Sequence, residues 1–329
     1  MVVERPAGRS GRGNSLLLSA LRFAGYDLDC RPATPTPTST PSSEPDPTKT
    51  GAVSAGGRYM HALPPDVEPA RTLLEEYSGI PTEDVDRHVY QMRDRLWDVY
   101  PYACVGRFRF ISLEFTADAY YQVALFRLLR AQTESESDDN ETRLLDVGCC
   151  VGQVLRKLAF DGVDSSRLYG TDVEPRFLDI GFDLFRDRDK FQGGFVVGDL
   201  LQQGAGDERL DAFDGRMTFI HATSFFHLFT WGDQVHVATR MVRFLQPDRR
   251  DAMIFGRQVG TTSPRDNGKA GSDKVYLHNA DSWQRLWDEV GERTGTKWRT
   301  TMEPTETIET GAGGVESSLK KMTYCVLRD

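Results

Sequence analysis

The stretch "LLDVGCCVGQ", residues 144–153, joins a short apolar run to a turn that contains Gly148 and Gly152. An apolar run followed by a glycine turn indicates a buried strand that leads into a helix. The spacing is nearly that of the D-x-G-x-G-x-G loops that bind nucleotide cofactors, but Cys150 stands at the position of the middle glycine. A pyrophosphate-binding loop also needs glycine where this chain has Gln153, so the stretch disfavours a dinucleotide site.

Strand-like and helix-like segments alternate after this loop. Strands are predicted at residues 143–147, 168–172, 194–197, 217–221 and 252–255. This alternation indicates an α/β fold with a largely parallel sheet and helices on both faces. After a predicted helix around residues 282–290, the strand-like segments "TKWRTTME" and "LKKMTYCVLRD" follow with no helix between them. They predict an antiparallel hairpin at the end of the sheet.

Acidic residues stand at three consecutive strand ends, where an open α/β sheet binds its ligand. Asp172 lies 26 positions after Asp146, about the separation at which an acid reaches ribose hydroxyls. Asp199 ends the third strand, where a carboxylate can accept a hydrogen bond from an adenine amino group. A single loop aspartate is more often a helix cap or a solvated residue. Three together predict a site for an adenosine that carries no phosphate.

The overall composition excludes several classes of function. The 329 residues carry a net charge of −9, which argues against a nucleic-acid-binding surface, because such a surface needs clustered Lys and Arg. No apolar run approaches the roughly 20 residues of a membrane-spanning helix. The five cysteines form no C-x-x-C pair and the six histidines show no metal-ligand spacing, so no metal is predicted. We expect a soluble, cytoplasmic protein with no membrane or nucleic-acid partner.

The first 65 residues differ in composition from the rest of the chain. The segment "RPATPTPTSTPSSEPDPT", residues 31–48, is rich in Pro, Ser and Thr, so residues 1–65 are predicted to be a disordered tail. The apolar run at 15–25 could belong to a targeting presequence, but the nearby acids Glu4 and Asp27 disfavour that interpretation. A dispensable tail is the favoured hypothesis.

A helical segment is predicted at residues 66–135, before the main domain at 136–329. The run "PARTLLEEYSG" predicts a helix that stops at Gly79, and Thr82 and Thr116 are predicted to cap the next two helices. The acidic run "ESESDDNE" indicates a solvated linker to the main domain.

Several stretches together resemble class I S-adenosylmethionine-dependent methyltransferases. They are "LLDVGCCVGQVLRKLAFDG", "LYGTDVEPRFLDIGFDLFRD", "FIHATSFFHLFTWGDQ", "MIFGRQVG" and "LHNADSWQRLWDEVGERTGTKW". The closer likeness is to fungal secondary-metabolism methyltransferases, such as those of the austinol and terretonin meroterpenoid pathways. It spans roughly Tyr90 to the C-terminus, and the cysteine pair fits that group.

This resemblance implies a seven-stranded Rossmann-like sheet with an N-terminal helical cap, and S-adenosylmethionine as the cofactor. It also implies methyl transfer to a carboxylate or hydroxyl oxygen of a small terpenoid or polyketide. The aromatic-rich stretch "VYPYACVGRFRF", residues 99–110, could close over such an acceptor as a substrate cap. Arg107 or Arg109 is a candidate to pair with an acidic acceptor, although either can equally be a surface residue.

The resemblance also implies roles for individual residues on the cofactor side. The methionine part of the cofactor would contact the glycine loop after the first strand. Its ribose would contact the end of the second strand, and its adenine would contact the end of the third strand. The carboxylate at the end of the first strand would orient the loop and the cofactor's ammonium group. The candidate cofactor residues are Asp146, Gly148, Cys150, Gly152, Asp172, Val173, Asp199, Leu200 and His221. Leu200 can alternatively belong only to the core.

On the acceptor side, the candidates follow the fourth strand. His227 is the candidate catalytic residue, as a base or a positioning group, and Ser224, Trp231 and His278 are candidate substrate contacts, together with Arg107. Each has a structural alternative, because His227 can be a packing residue. Thr230 can cap the next helix with Asp233, and Asn279 or Asp281 can cap the helix after His278.

Other functions are distinguished by specific residues. A DNA adenine methyltransferase should show [DN]-P-P-[YF] after the fourth strand, where this chain has "HATSFF". A dehydrogenase conflicts with Gln153 and with Asp146 before the loop. A non-catalytic binding or scaffold protein stays open, because Cys150 could obstruct the cofactor. A carbon or nitrogen acceptor and a homodimer also stay open.

Overall fold

Seven strands form one sheet in the described part of the chain, which comprises residues 58–133, 141–202, 206–263, 275–307 and 318–329 of this computed structural model. They are β1 (Leu144–Val147), β2 (Leu168–Asp172), β3 (Gly194–Val197), β4 (Phe219–His221), β5 (Met253–Thr261), β6 (Trp298–Thr307) and β7 (Leu319–Arg328). Their order is β3-β2-β1-β4-β5-β7-β6. Strands β1 to β5 are parallel, and β7 is antiparallel to β5 and β6. The predicted parallel sheet with an antiparallel terminal hairpin is confirmed.

Helices cover both faces of this sheet. They are α1 (Glu68–Glu76), α2 (Thr82–Val99), α3 (Ala103–Gly106), α4 (Ala119–Ala131), α5 (Gln153–Phe160), α6 (Pro175–Phe185), α7 (Trp231–Phe244) and α8 (Ala280–Thr294). Helices α1 to α6 share a core with Phe255 of β5, whereas α7 and α8 share a second core with Ile254. Successive strand residues point to opposite faces, so these two neighbours enter different cores. None of the described helices is long and apolar enough to cross a membrane.

Two predicted helix caps are wrong by one or two residues. Pro81 is the N-cap of α2, because Thr82 already belongs to the helix. Asp118 caps α4 with a carboxylate that accepts a hydrogen bond from Tyr120 N at 2.8 Å. Thr116 lies in the 3-10 turn before it. A carboxylate is the stronger cap here, since it also interacts favourably with the helix dipole.

Strand β5 is longer than predicted. The apolar run ends at Phe255, and Gly256, Arg257 and Gln258 interrupt it, so the sequence gives no reason to extend the strand. In the structure, β7 pairs with β5 as far as Thr261. The hydrogen bonds of an antiparallel neighbour therefore extend the strand and carry Arg257 to the carboxyl edge of the sheet.

The packed chain begins earlier than predicted. Met60 N donates to Gly106 O at 2.9 Å, and Met60 O accepts a hydrogen bond from Arg93 Nη1 at 2.9 Å. The packed structure thus includes residues before the predicted end of the tail at 65. Residues 1–57 and the acidic linker, 134–140, lie outside the described residues.

A buried ion pair joins α1, α5 and the loop after α6. Arg156 donates to both carboxylate oxygens of Asp187 at 2.9 and 3.1 Å, and Tyr77 OH donates to the same carboxylate at 2.9 Å. Arg156 Nη1 also donates to Val151 O at 3.2 Å. Four rings surround the guanidinium, with centroids 4.7–5.3 Å from its carbon: Phe182, Phe185, Phe191 and Phe195. The ion pair therefore supports the loop after β1, because the Arg156 side chain is also bonded to Val151 in that loop.

Candidate active site

The loop after β1 has left-handed backbone conformations at three alternate residues. The φ angles are 68° at Gly148, 51° at Cys150 and 67° at Gly152. A Cβ atom at Gly148 would lie 3.0 Å from the Phe225 ring, so both the φ angle and the close approach require glycine. Cys150 occupies a conformation that favours glycine. This explains why glycine is usual at that position and means that the cysteine is held with backbone strain.

Asp172, the last residue of β2, contacts this loop directly. Its Oδ2 accepts a hydrogen bond from Cys150 N at 2.9 Å, and its Oδ1 accepts one from Glu174 N at 3.1 Å. Each oxygen retains a lone pair for a further donor such as a ribose hydroxyl. Desolvation raises the pKa of Asp172, although part of its surface is accessible. Beside it, Val173 is 55% exposed, so a bound ring can cover an apolar side chain there.

Asp199 follows β3 and is held by the next loop. Its Oδ1 accepts a hydrogen bond from Leu201 N at 2.8 Å, and its backbone N–H donates to Asp207 Oδ2 at 2.9 Å. The hydrogen bonds from Arg209 lower the pKa of Asp207 to about 2, which keeps the Asp207 carboxylate ionised where it accepts the hydrogen bond from Asp199. Within the described residues no donor contacts Asp199 Oδ2, so it can accept from an adenine amino group. Leu200 is 7% exposed and lies in the core that α7 and α8 share, in agreement with the alternative that it is a core residue.

Asp146 is bound to the neighbouring strand. Its Oδ1 lies 2.7 Å from His221 Nδ1, and His221 Nε2 lies 2.8 Å from Thr223 Oγ1. Thr223 Oγ1 accepts a hydrogen bond from Arg257 N at 3.1 Å, so its hydroxyl can donate to His221 Nε2. That assignment places the ring proton on Nδ1, where it donates to Asp146. With both ring nitrogens used, His221 can act on a ligand only through Asp146 or through the face of its ring.

The helical segment packs against the helix that follows β2, since the Tyr102 ring lies 6.2 Å from the Phe177 ring, centroid to centroid. Burial raises the pKa of the Tyr102 phenol and that of the Cys104 thiol, the latter to about 11, and the nearby charge of Asp172 raises both further. Cys104 as a residue is nevertheless exposed at the surface. The aromatic richness of residues 99–110 was the available signal, and it did not identify these two residues.

The turn after β4 brings the acceptor-side candidates next to the loop. Ser224 is exposed with a φ angle of 56°, and its N–H donates to Arg257 O at 2.7 Å. His227 is 8% exposed, and burial lowers its pKa to about 4. No hydrogen-bond partner of His227 Nδ1 occurs among the described residues. His227 is therefore a neutral, weakly basic ring.

Trp231 is the first residue of α7. Thr230 caps this helix, as the structural alternative expected, with Oγ1 accepting from Asp233 N at 3.2 Å. Trp231 Nε1 donates to Glu289 Oε2 at 2.8 Å, and its ring packs against Tyr276 at a centroid distance of 4.9 Å. The indole is half-buried, so its exposed side can form a pocket wall.

His278 lies in the core. It is 1% exposed, with Nδ1 3.0 Å from Ser282 Oγ and Nε2 2.9 Å from Gln234 Oε1. Burial lowers its pKa to about 3. Asn279 and Ser282 form the capping box of α8, as the structural alternative expected. Because both ring nitrogens are bonded within the core, the prediction of His278 as a substrate contact is wrong.

Arg107 and Arg109 lie in a separate cleft. Both are exposed and line a cleft of about 570 Å³, together with Glu114, which pairs with Arg109 at 2.5 Å. This volume suits a small molecule. All residues that line this cleft lie between Met60 and Glu114, so it contains none of the strand-end acids.

Two protein families match this chain. Residues 59–111 match a family described as "Meroterpenoid methyltransferase N-terminal domain", which covers α1 to α3. Residues 144–248 match a family described as "Methyltransferase domain", which runs from β1 through α7.

Individual relatives cover both regions. The O-methyltransferase phiE of a fungal species is 38% identical over 254 residues, 76% of this chain and 81% of phiE. The O-methyltransferase atr3 of Stereocaulon alpinum is 39% identical over 249 residues, 74% of this chain and 68% of atr3. The Asnovolin E/Chermesin D methyltransferase nvfJ of Aspergillus novofumigatus is 35% identical over 236 residues, 70% of this chain and 78% of nvfJ. The chain therefore belongs to the class I S-adenosylmethionine-dependent methyltransferases, in the fungal family that includes meroterpenoid methyltransferases.

Proposed function

We propose that this methyltransferase acts on a carboxylate oxygen of a small hydrophobic acceptor and forms a methyl ester. The observation that supports this choice is the lack of a suitable general base among the three candidate histidines. The pKa of His227 is lowered to about 4, and both ring nitrogens of His221 and of His278 are bonded within the protein. His227 is therefore a weak base, and the other two rings have no free nitrogen that could take a proton from an alcohol or a phenol. An ionised carboxylate needs no base.

The proposed acceptor class is a terpenoid or polyketide acid of fungal secondary metabolism. Two relatives are named O-methyltransferases, and the N-terminal match is described as a meroterpenoid methyltransferase domain. Aromatic rings flank the acceptor side, since Phe115 lies 6.3 Å from the His221 ring and Phe225 lies 4.9 Å from Phe229, centroid to centroid. Such rings suit a hydrophobic acceptor.

The described residues fit the cofactor. S-adenosylmethionine supplies an electrophilic methyl group on a sulfonium sulfur when it is bound. The strand-end acids offer acceptors where ribose hydroxyls, the adenine amino group and the ammonium group need them, and the loop at Gly148 has no room for a side chain. We propose that the cofactor is held by Asp146, Gly148, Cys150, Gly152, Asp172, Val173 and Asp199, with His221 acting through Asp146.

The protein's own task is then positioning and exclusion of water. The acceptor oxygen has to lie about 3 Å from the methyl carbon and in line with the bond that breaks. The helical segment contributes by covering the edge, because Phe115 packs on the His221 ring at 6.3 Å between centroids. Water expelled from this space can neither solvate the carboxylate nor compete with it.

A matched panel of acceptors tests this proposal. Hydrophobic acids are each compared with the alcohol that carries –CH2OH in place of –COOH, such as retinoic acid with retinol and farnesoic acid with farnesol. Turnover is followed with a trideuterated methyl donor, and mass spectrometry locates the label. We expect labelled products from acids that mild alkali returns to the acid. Alkali-stable labelled ethers, or labelling at carbon or nitrogen, would contradict the proposal.

A further inference from the structure

Arg257 lies at the carboxyl edge of β5 and is bound to the turn that follows β4. Its N–H donates to Thr223 Oγ1 at 3.1 Å, and its carbonyl accepts from Ser224 N at 2.7 Å. These two contacts fix its backbone beside the acceptor-side turn. Arg257 was not among the candidate site residues, because it follows the predicted end of its strand.

The side chain of Arg257 is on the face of the sheet that the helical segment covers. Phe255 and Arg257 are two residues apart on one strand and so share a face, and Phe255 packs against His221 at 5.3 Å between centroids. The guanidinium is directed toward the 3-10 turn that carries Glu114 and toward Asp118, the cap of α4. It therefore lies between the edge of the sheet and its cover.

The ion pairs of Arg257 among the described residues are long, and the one hydrogen bond of its guanidinium is made by Nε. Its side chain is only 15% exposed, yet Nε lies 3.5 Å from Asp118 Oδ2 and Nη1 lies 3.9 Å from Glu114 Oε2. Within the described residues, no hydrogen bond involves either Nη atom. Buried cations are normally paired at short range, because removing them from water costs several kcal/mol.

The two nearby carboxylates have closer partners. Asp118 Oδ1 accepts from Tyr120 N at 2.8 Å, and Glu114 is bonded to Lys321 and to Arg109. Desolvation raises the pKa of Glu114, but these two cations outweigh it and leave that pKa below its usual value. Asp118 thus pairs with Arg257 through Nε, Glu114 is shared with two closer cations, and the two Nη atoms remain available for a further anion.

We infer that Arg257 is the residue that pairs with the carboxylate of the acceptor, an inference that rests on the proposed function. One carboxylate oxygen accepts a hydrogen bond from an Nη atom and the other faces the methyl group. The second oxygen forms a bond to the methyl carbon as the carbon–sulfur bond breaks and its electron pair stays on sulfur. The anionic acid and the cationic sulfonium become a neutral ester and a neutral thioether. The ester no longer attracts the guanidinium as strongly, which favours product release.

Arg257 suits this role better than the arginines that the sequence suggested. Arg109 is 52% exposed and already paired with Glu114, and Arg107 is exposed in the same cleft. An exposed pair contributes little to binding because water and salt screen it. A nearly buried guanidinium discriminates more strongly between an anion and a neutral analogue.

The test compares Arg257→Gln, Arg257→Lys and wild type on the acid and alcohol panel. Arg299→Gln is the matched control, because Arg299 is 69% exposed on the same sheet and its β7 partner Leu327 pairs with Met253 at the amino end of β5. The KM for the acids is expected to rise about 30-fold or more in Arg257→Gln. Arg257→Lys should recover part of that loss, while the dissociation constant for S-adenosylmethionine and the melting temperature stay near wild type.

The outcomes separate this inference from the proposed function. If wild type methylates acids and Arg257→Gln retains the same KM for them, the inference is wrong and the proposed function stands. If wild type methylates only alcohols, or no acid, both are wrong. If Arg257→Gln weakens S-adenosylmethionine binding as much as acid binding, Arg257 is a structural residue and the inference is overturned. A loss confined to the acids, with partial recovery by lysine, supports it.

Discussion

A 2.7 Å hydrogen bond joins the Asp146 carboxylate to the His221 ring, across the ends of β1 and β4. Both side chains are almost fully buried, and Thr223 holds the other ring nitrogen. The bond connects the strand that leads into the cofactor loop with the strand that leads into the acceptor-side turn. The proposed cofactor residue Asp146 is thus oriented by a residue that does not itself need to contact the cofactor.

His221→Phe keeps a ring in place but removes the partner of Asp146. We expect the dissociation constant for S-adenosylmethionine to rise about tenfold and the free energy of unfolding to fall by about 1–3 kcal/mol, because a buried carboxylate loses its donor. Calorimetric titration and urea unfolding measure the two effects, with His236→Phe on α7 as the control. An unchanged dissociation constant in folded His221→Phe would show that Asp146 needs no support.

Cys150→Gly should relieve the backbone strain in the loop. Glycine adopts a positive φ freely, whereas other residues pay roughly 1–2 kcal/mol for it, so we expect a net gain of about 0.5–1 kcal/mol in the free energy of unfolding. S-adenosylmethionine binding should stay within about threefold of wild type, since Asp172 bonds to the backbone N–H of this residue. Cys150→Val should be less stable than wild type. A glycine variant less stable than wild type would mean that the thiol contributes contacts that outweigh the strain.

The pKa of His227 makes stability depend on pH. Burial lowers it from 6.5 to about 4, so the folded protein resists protonation of this ring. Its contribution is complete above pH 6.5 and is lost as the pH falls toward 4, a change of about 3 kcal/mol. We expect urea unfolding of His227→Leu to show a correspondingly shallower loss over this range, with His236→Leu resembling wild type. Parallel curves for wild type and His227→Leu would mean that the ring titrates normally.

His227→Ala also tests the acceptor type. If the acceptor is a carboxylate, turnover should fall less than tenfold and wild-type activity should vary little above pH 6, whereas loss of a general base costs about 10²–10⁴-fold. Steady-state turnover from pH 6 to 9 provides the measurement. A thousand-fold loss together with a sigmoidal wild-type profile would favour an alcohol or phenol as the acceptor.

The sheet and the strand-end acids were predictable because their signals are local. Each of the parallel strands is a short apolar run, and alternation with helices brings their carboxyl ends to one edge. Asp146, Asp172 and Asp199 therefore come to that edge from far apart in the sequence. Gly148 and Gly152 were recognisable because the turn requires their positive φ angles.

The remaining features depend on packing that no local pattern encodes. Tyr102 comes close to α6 only because the helical segment packs there, and Arg257 is carried to the edge of the sheet by pairing with β7. His278 resembled a site residue because a polar residue before a helix cap looks the same whether its ring faces a ligand or the core. The cytoplasmic location and the homodimer stay predictions of the sequence.

Titration of S-adenosylmethionine into wild type and Asp172→Ala tests the proposed cofactor site most directly. Asp179→Ala is the control, because Asp179 on α6 is 66% exposed and pairs only with exposed Arg188 among the described residues. We predict saturable binding to wild type and to Asp179→Ala. In Asp172→Ala the dissociation constant should be at least about tenfold higher while the variant remains folded, because the ribose hydroxyls lose a charged acceptor. Equal affinities in wild type and a folded Asp172→Ala variant would contradict the placement of the cofactor at the strand ends.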